Sequence, residues 1–258
     1  MSGLSWNDIF ALPQDALAGE RRIPKTVLVR QALLTKTEQK TLDKVAHLAH
    51  FATVQKSTTR IMPLVDGEHD IQSVVFLRCD MAESGAYAEV ARLIHKCFPN
   101  PTVILFGEPG KGCVSVAITR KSLAEQGATV VERIESTRAV DLTAPTLAPF
   151  AASLSFACLP QENLLAYLEG LAWSIRLSRT VPSLGFFPRC DMGDRERLEA
   201  LVAEHERVSV RVEEVRRLRC SRDVTLNESA KLRVEQKGLE REIGRVTAAI
   251  KEMCDGGD

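Results

Sequence analysis

The segment Gly107-Glu108-Pro109-Gly110-Lys111-Gly112 is the first in the chain whose residue types suggest chemistry. A glycine-rich loop cradles phosphates when a lysine follows its last glycine, a Ser or Thr comes next, and a helix begins behind it. Here Cys113 and Val114 follow instead and open an apolar run. A glycine-rich turn between two strands accounts for the motif. Asp80 closes another apolar run, with Glu83 three residues on. A carboxylate so placed can hold a metal, as in nuclease cores. No acid followed two positions on by a lysine is expected in a neighbouring strand, and a turn or helix-cap role accounts for Asp80. His47 and His50 are expected on one face of a helix, but they do not combine with the cysteines at zinc-site spacing. There is no G-x-S-x-G elbow and no serine or cysteine in a nucleophile setting. These readings predict no catalytic residue, no metal ligand and no cofactor.

Arg216, Arg217, Arg219 and Arg222 concentrate positive charge in a short stretch. They could meet phosphates, a partner's carboxylates, or the neighbouring Glu213 and Glu214. The aromatic complement is two Trp, two Tyr and nine Phe, none interleaved with these arginines, so a base-stacking platform is not indicated.

The elements that would carry these groups follow from periodicity. Trp6, Ile9, Phe10 and Leu12 form an apolar motif broken by Pro13, which predicts one helical turn against the core. Pro24 can begin a helix. Thr35 and Glu38 have capping-box spacing for a second, with Leu42, Val45, Ala46 and Ala49 as its apolar face. Thr58 to Val65 and Ile71 to Leu77 read as strands joined by Asp66-Gly67-Glu68. Ser84 opens a helix through Cys97 that stops at Pro99 to Pro101. Thr102 to Phe106 and Val114 to Ile118 read as a hairpin, and Thr129 to Val140 as a further strand. Residues 144–179 read as helical, with Leu164, Leu168, Leu171 and Trp173 on a wide apolar face. Pro182 to Pro188 reads as a linker or docking loop. The fold class is α+β: a mixed or antiparallel sheet with flanking helices, plus a C-terminal α-helical coiled-coil hairpin arm.

The arm rests on a change of composition at Gly193, beyond which there is no proline and no aromatic residue. Leu198, Leu201, His205, Val208, Val212 and Val215 are spaced as a heptad seam. A second seam runs through Leu232, Leu239, Ile243, Val246, Ile250 and Met253, out of phase with the first. Either one long helix carries a stammer or two helices fold back as a hairpin. Thr225 and Glu228 form a capping box at the junction, which favours the hairpin. The expected division is an α/β body over 1–185 and a helical arm over 193–258.

Composition bounds the rest. The 258 residues carry 34 Lys plus Arg and 34 Asp plus Glu, a formal net charge of zero. That argues against a chain that coats polyanions by total charge and against an acidic disordered one, while leaving a local basic patch open. The seven cysteines never form a C-x-x-C pair, which predicts free thiols in a reducing cytoplasm. The most apolar segment, Leu147 to Leu159, is interrupted by Pro149, Ser153 and Ser155, so no membrane span and no membrane partner are expected. Asp8 and Asp15 fall where a signal peptide would be apolar.

Three stretches carry a resemblance. Arg222-Asp223-Val224-Thr225-Leu226-Asn227, followed by Lys231-Leu232, is similar to an N-R-x-V-x-L-N signature with heptad leucines behind it, although Ser221 replaces its first Asn and Cys220 an expected aromatic. Arg22-Ile23-Pro24-Lys25 matches an R-I-P-K start. Ala88 to Phe98, Pro99 and the run Val103-Ile104-Leu105-Phe106 keep a helix, proline, strand order. On these the chain resembles a bacterial family, domain of unknown function 4391. The resemblance implies no established reaction. It implies an accessory or scaffold protein of a DNA-processing assembly, of phage-defence or restriction-like type, with a helicase or DNA methyltransferase as partner. Arg222 and Asn227 match the signature and could be structural.

Three expectations result. The leading one is a non-enzymatic interaction protein that self-associates as a homodimer, or docks on a partner, through its arm. The second is a metal-dependent nuclease or other DNA-acting enzyme, with Asp80 as first suspect. The third is a DNA-binding module using Arg216, Arg217, Arg219 and Arg222, with Asn227 beside them.

Overall fold

The structure, a computed structural model, describes residues 5–83, 85–125, 127–189, 192–220 and 225–255. Contacts divide the chain into two compact units, Met1–Arg179 and Thr180–Asp258.

The first unit opens with α1 (Trp6–Phe10), held by a capping box between Ser5 and Asp8. Then come β1 (Leu17–Arg22), α2 (Lys25–Gln31), α3 (Lys36–Asp43), β2 (Val45–Gln55) and α4 (Lys56–Thr59). The short strands β3 (Leu64–Val65) and β4 (Asp70–Ile71) precede β5 (Ser73–Met81) and α5 (Tyr87–Cys97). β6 (Thr102–Phe106), β7 (Cys113–Lys121) and β8 (Thr129–Ser136) follow, then α6 (Ala148–Ser153) and α7 (Leu164–Ser178). Six strands form one sheet in the order β1-β2-β5-β6-β7-β8, while β3 and β4 pair separately. β5 and β6 are parallel and joined through α5; the other neighbours are antiparallel. The sheet is therefore mixed and flanked by helices. β6 is buried along its whole length, as a central strand covered on both faces must be.

Strand alternation assigns the two faces. Leu77 and Cys79 of β5 join Leu48, Ile104 and Phe106 in a cluster with Leu28, Leu34, Leu42, Val90 and Ile94, so α2, α3 and α5 cover that face. Phe76 points the other way and meets Phe10 of α1 edge-on, with ring centres 5.5 Å apart. α7 packs on β7 and β8.

Several expected elements differ, among them residues 144–179, helical only in α6, α7 and two short 3-10 turns, and the expected linker, whose start at Val181–Leu184 is helical. The helix capped by Thr35 and Glu38 forms, but it ends at Asp43. Val45–Gln55 is a strand, not the end of that helix, because pairing with β5 along almost its whole length satisfies its backbone. Thr58 and Thr59 lie in α4, not in a strand; only Leu64–Val65 of that stretch is extended. β1 was not expected. Its alternation is interrupted by a bulge, with Gly19 and Glu20 both at positive φ (66° and 54°). Ser84, expected to open α5, lies outside the described residues.

Beneath α5 is a polar network within the apolar core. His95 is fully buried. Its Nδ1 is 2.5 Å from Thr102 Oγ1, its Nε2 is 2.8 Å from Ser115 Oγ, and Ser115 Oγ is 2.8 Å from Ser136 Oγ. Burial pushes His95 down to about 3 from an ordinary 6.5, so the ring is neutral and the hydroxyls satisfy both nitrogens.

The second unit contains α8 (Val181–Leu184), α9 (Arg195–Arg219) and α10 (Leu226–Asp255). Gly185 caps α8 at φ 80°. α9 and α10 are two helices, not one long rod. Glu204 pairs with Arg245 (3.0 Å), Arg207 with Glu242 (3.6 Å) and Arg211 with Glu235 (2.7 Å). Rising numbers on α9 meet falling numbers on α10, so the helices run antiparallel. Among the described residues no helix is long and apolar enough to cross a membrane.

Candidate functional site

The expected seam residues fall on one stripe of each helix. On α9, Leu198, Val208, Val212 and Val215 are buried, with Val202 and His205 between them. Leu201 is half-buried, and Val202 takes the deeper place because a step of four from Leu198 stays closer to the stripe than a step of three. On α10, Val246 and Ile250 are buried while Leu232, Leu239, Ile243 and Met253 are half-buried. The start of α10 is fixed as the sequence predicts: Glu228 N–H donates to Thr225 Oγ1 (3.3 Å) and Thr225 N–H to Glu228 Oε2 (2.9 Å).

His205 interrupts this apolar stripe. It is 1% exposed, and its Nε2 is buried without a hydrogen-bond partner. Burial lowers its pKa; Glu206 acts weakly in the opposite direction.

The arginine cluster is largely spent within the helical pair. Arg216 meets Glu213 (2.8 Å) and Glu240 (3.5 Å), and Arg219 donates to Gln236. Arg217 is exposed, and Asn227 is exposed on the first turn of α10. Arg222 lies outside the described residues.

A second set of charged groups lies in the first unit, at the carboxyl ends of the parallel pair β5 and β6. Arg78, on the Phe76 face of β5, meets Glu108 (2.6 Å), Glu20 (3.0 Å) and Asp80 (3.5 Å). Partial burial works against its charge, but the hydrogen bond it donates to Glu20 and the charges of Asp80, Glu20 and Glu108 outweigh it and raise its pKa. His47 Nδ1 is 3.7 Å from Asp80 Oδ2. His47 and His50 do not share a helix face. They lie on β2, where His47 faces Asp80 in register and His50 faces Leu77 on the opposite side. His50 Nε2 instead sits 2.7 Å from Thr53 Oγ1.

Backbone geometry builds this cluster. The β1 bulge puts Glu20 at φ 54°, a conformation that costs a non-glycine residue about 1 kcal/mol, and its carboxylate reaches Arg78. Glu108 comes from the glycine-rich segment, which is the β6–β7 connection with a single 3-10 turn at Pro109–Lys111 and no helix behind it. Trp6 Nε1 donates to Gly107 O (2.8 Å), and a Cβ at Gly112 would fall 2.8 Å from the Trp6 ring. The loop is thus held by the indole and fits no phosphate cradle.

Asp80, the sequence's suspect carboxylate, is engaged by Arg78 and His47. Among the described residues no three His, Cys, Asp or Glu side chains are placed to hold a metal ion. The buried thiols are poor nucleophiles: burial pushes Cys79 up to about 12 and Cys97 up to about 11. Cys158 and Cys220 are exposed free thiols. Sequence reading missed Glu20, Arg78 and Glu108 as a group. The one local signal was Gly19 beside a charged residue, since the pairs are distant in sequence.

No match was found among curated proteins or among solved structures. One protein-family model, Domain of unknown function (DUF4391), matches residues 10–243 of the 258. The R-I-P-K segment, the helix-to-strand passage through Pro99 and the start of α10 all lie within that span, and the chain belongs to the domain of unknown function 4391 family.

Proposed function

We propose that the chain is a non-enzymatic accessory or scaffold protein of a DNA-processing assembly, associating through its C-terminal helices as a coiled-coil arm. The observation that carries this reading is the antiparallel pair α9 and α10. Arg207, Arg211, Arg216 and Arg245 are each matched by an acid across the pair, while Val210 and Val234 stand 60% and 73% exposed on its surface. Charges neutralised within a helical pair, beside exposed apolar side chains, suit contact with another protein's helix better than contact with phosphates. This also weakens the reading in which the arm's arginines bind DNA.

Sedimentation velocity of the full chain tests the self-association form. A dimer that becomes a monomer in Val210→Asp and Val234→Asp supports it. A monomer at every concentration counts against it. The docking form is tested by co-purification with a helicase or DNA methyltransferase of the same host; failure of both to co-purify counts against it.

A second reading, a metal-dependent nuclease, has one observation in its favour. Asp80 and Glu108 sit at the carboxyl ends of parallel strands, where α/β sheets place ligands. Cleavage of DNA with a divalent metal, lost in Asp80→Ala, would support it; no cleavage with any divalent metal would remove it.

A further inference from the structure

The layer formed by α2, α3 and α5 carries a charge that the chain's total hides. Across α2, α3 with Lys44 at its end, and α5 there are seven Lys or Arg and three acids, Glu38, Asp43 and Glu89, in a chain of zero net charge. Folding does not cancel this excess. Glu38 is taken by Lys96 of α5 (2.6 Å) and Glu89 of α5 by Lys44 (2.6 Å). Arg30 on α2, Lys36 and Lys40 on α3, and Arg92 on α5 are exposed, and none has an acidic partner among the described residues. These helices bury their apolar sides in one cluster on the same sheet face, so their outward charges belong to one surface. Leu33, between α2 and α3, is 87% exposed at φ 47°.

We infer that this α2, α3 and α5 surface binds the phosphate backbone of duplex nucleic acid. Unpaired cations spread over three rigid helices release condensed counterions from a polyanion, which is what drives such binding. A lipid surface would ask for a broad apolar face beside the cations, and only Val27 and Leu33 are exposed here. The surface is built from residues of the first unit alone, so the inference holds or fails independently of the arm's role.

The test is fluorescence anisotropy of the full-length protein with a labelled DNA duplex of mixed sequence, from about 50 to 200 mM salt. The wild type should bind with a negative slope of log affinity against log salt. Replacing Arg30, Lys36 and Lys40 by Ala should make that slope shallower by about 2.7, at about 0.9 per contact, and weaken binding about tenfold or more at low salt. A second variant, Lys40→Glu with Arg92→Glu, should weaken binding in the same direction while circular dichroism stays unchanged. Arg216→Ala with Arg217→Ala should bind as the wild type does. The inference is overturned if the wild type does not bind the duplex, or binds acidic phospholipid vesicles but no duplex. It is equally overturned if both α2/α3/α5 variants bind as the wild type does, or if the α9 variant is the one that loses binding.

Discussion

The sheet unit and the helical pair are held together in opposite ways. In the sheet unit, polar groups are joined across long stretches of chain: the buried His95 to Ser115, and the partly exposed Arg78 to Glu20, 58 residues apart. In the helical pair, polar groups stay at the surface, and the stripe between them is apolar apart from His205. A buried polar network loses a full desolvation penalty when one partner is removed, whereas an exposed ion pair loses little. The first unit is therefore specified by a few irreplaceable contacts and the second by the sum of many weak ones.

That contrast can be broken by substitution. The largest effect is expected at Phe76→Ala, which empties the space between α1 and β5 and should cost about 3–5 kcal/mol in urea denaturation. A loss no larger than that of a surface change would show that α1 does not close this face.

Next is the pH response of His95. Its folded pKa lies near 3 and its ordinary value at 6.5, so above 6.5 both states are neutral and the stabilisation is complete. Below 6.5 the unfolded chain takes up a proton that the folded state refuses. Stability should then fall by about 1.4 kcal/mol per pH unit from this group as pH drops toward 3. His95→Gln keeps hydrogen-bonding atoms without titrating. Its stability loss between pH 7 and pH 5 should be smaller than the wild type's, and equal losses would contradict a buried neutral ring.

A smaller effect belongs to the helical pair. Thr225→Ala removes the cap of α10 and should cost about 1 kcal/mol, read as fraying of the helix start by hydrogen exchange. Smallest of all, Arg211→Ala should shift stability by at most about 0.5 kcal/mol, because its pairs with Glu235 and Glu214 are exposed. A loss of several kcal/mol there would mean that the surface ladder, and not the apolar stripe, holds α9 to α10.

The same contrast explains what could be read from residue order. Trp6, Ile9 and Phe10, the capping boxes at Thr35 and Thr225, and the seam from Leu198 to Ile250 all depend on residues a few positions apart. Val45–Gln55 reads as the end of a helix because Leu42, Val45, Ala46 and Ala49 fit a helix stripe, and only pairing with β5 makes the segment a strand. The grouping of Glu20, Asp80 and Glu108 around Arg78 was not legible because three separate segments supply them.

The sequence by itself determined the two C-terminal seams, the cap of α10, the β6–β7 hairpin and a sheet that is mixed or antiparallel, since helix periodicity and turn chemistry act within one or two turns of chain. Only the tertiary structure decided that Val45–Gln55 is a strand, that His95 is a neutral buried hub, that Asp80 answers to Arg78, and that Arg216 and Arg219 face α10. Each of these depends on which distant groups remain to satisfy a buried backbone, a buried ring or a charge, and that is settled only when the strands and helices meet.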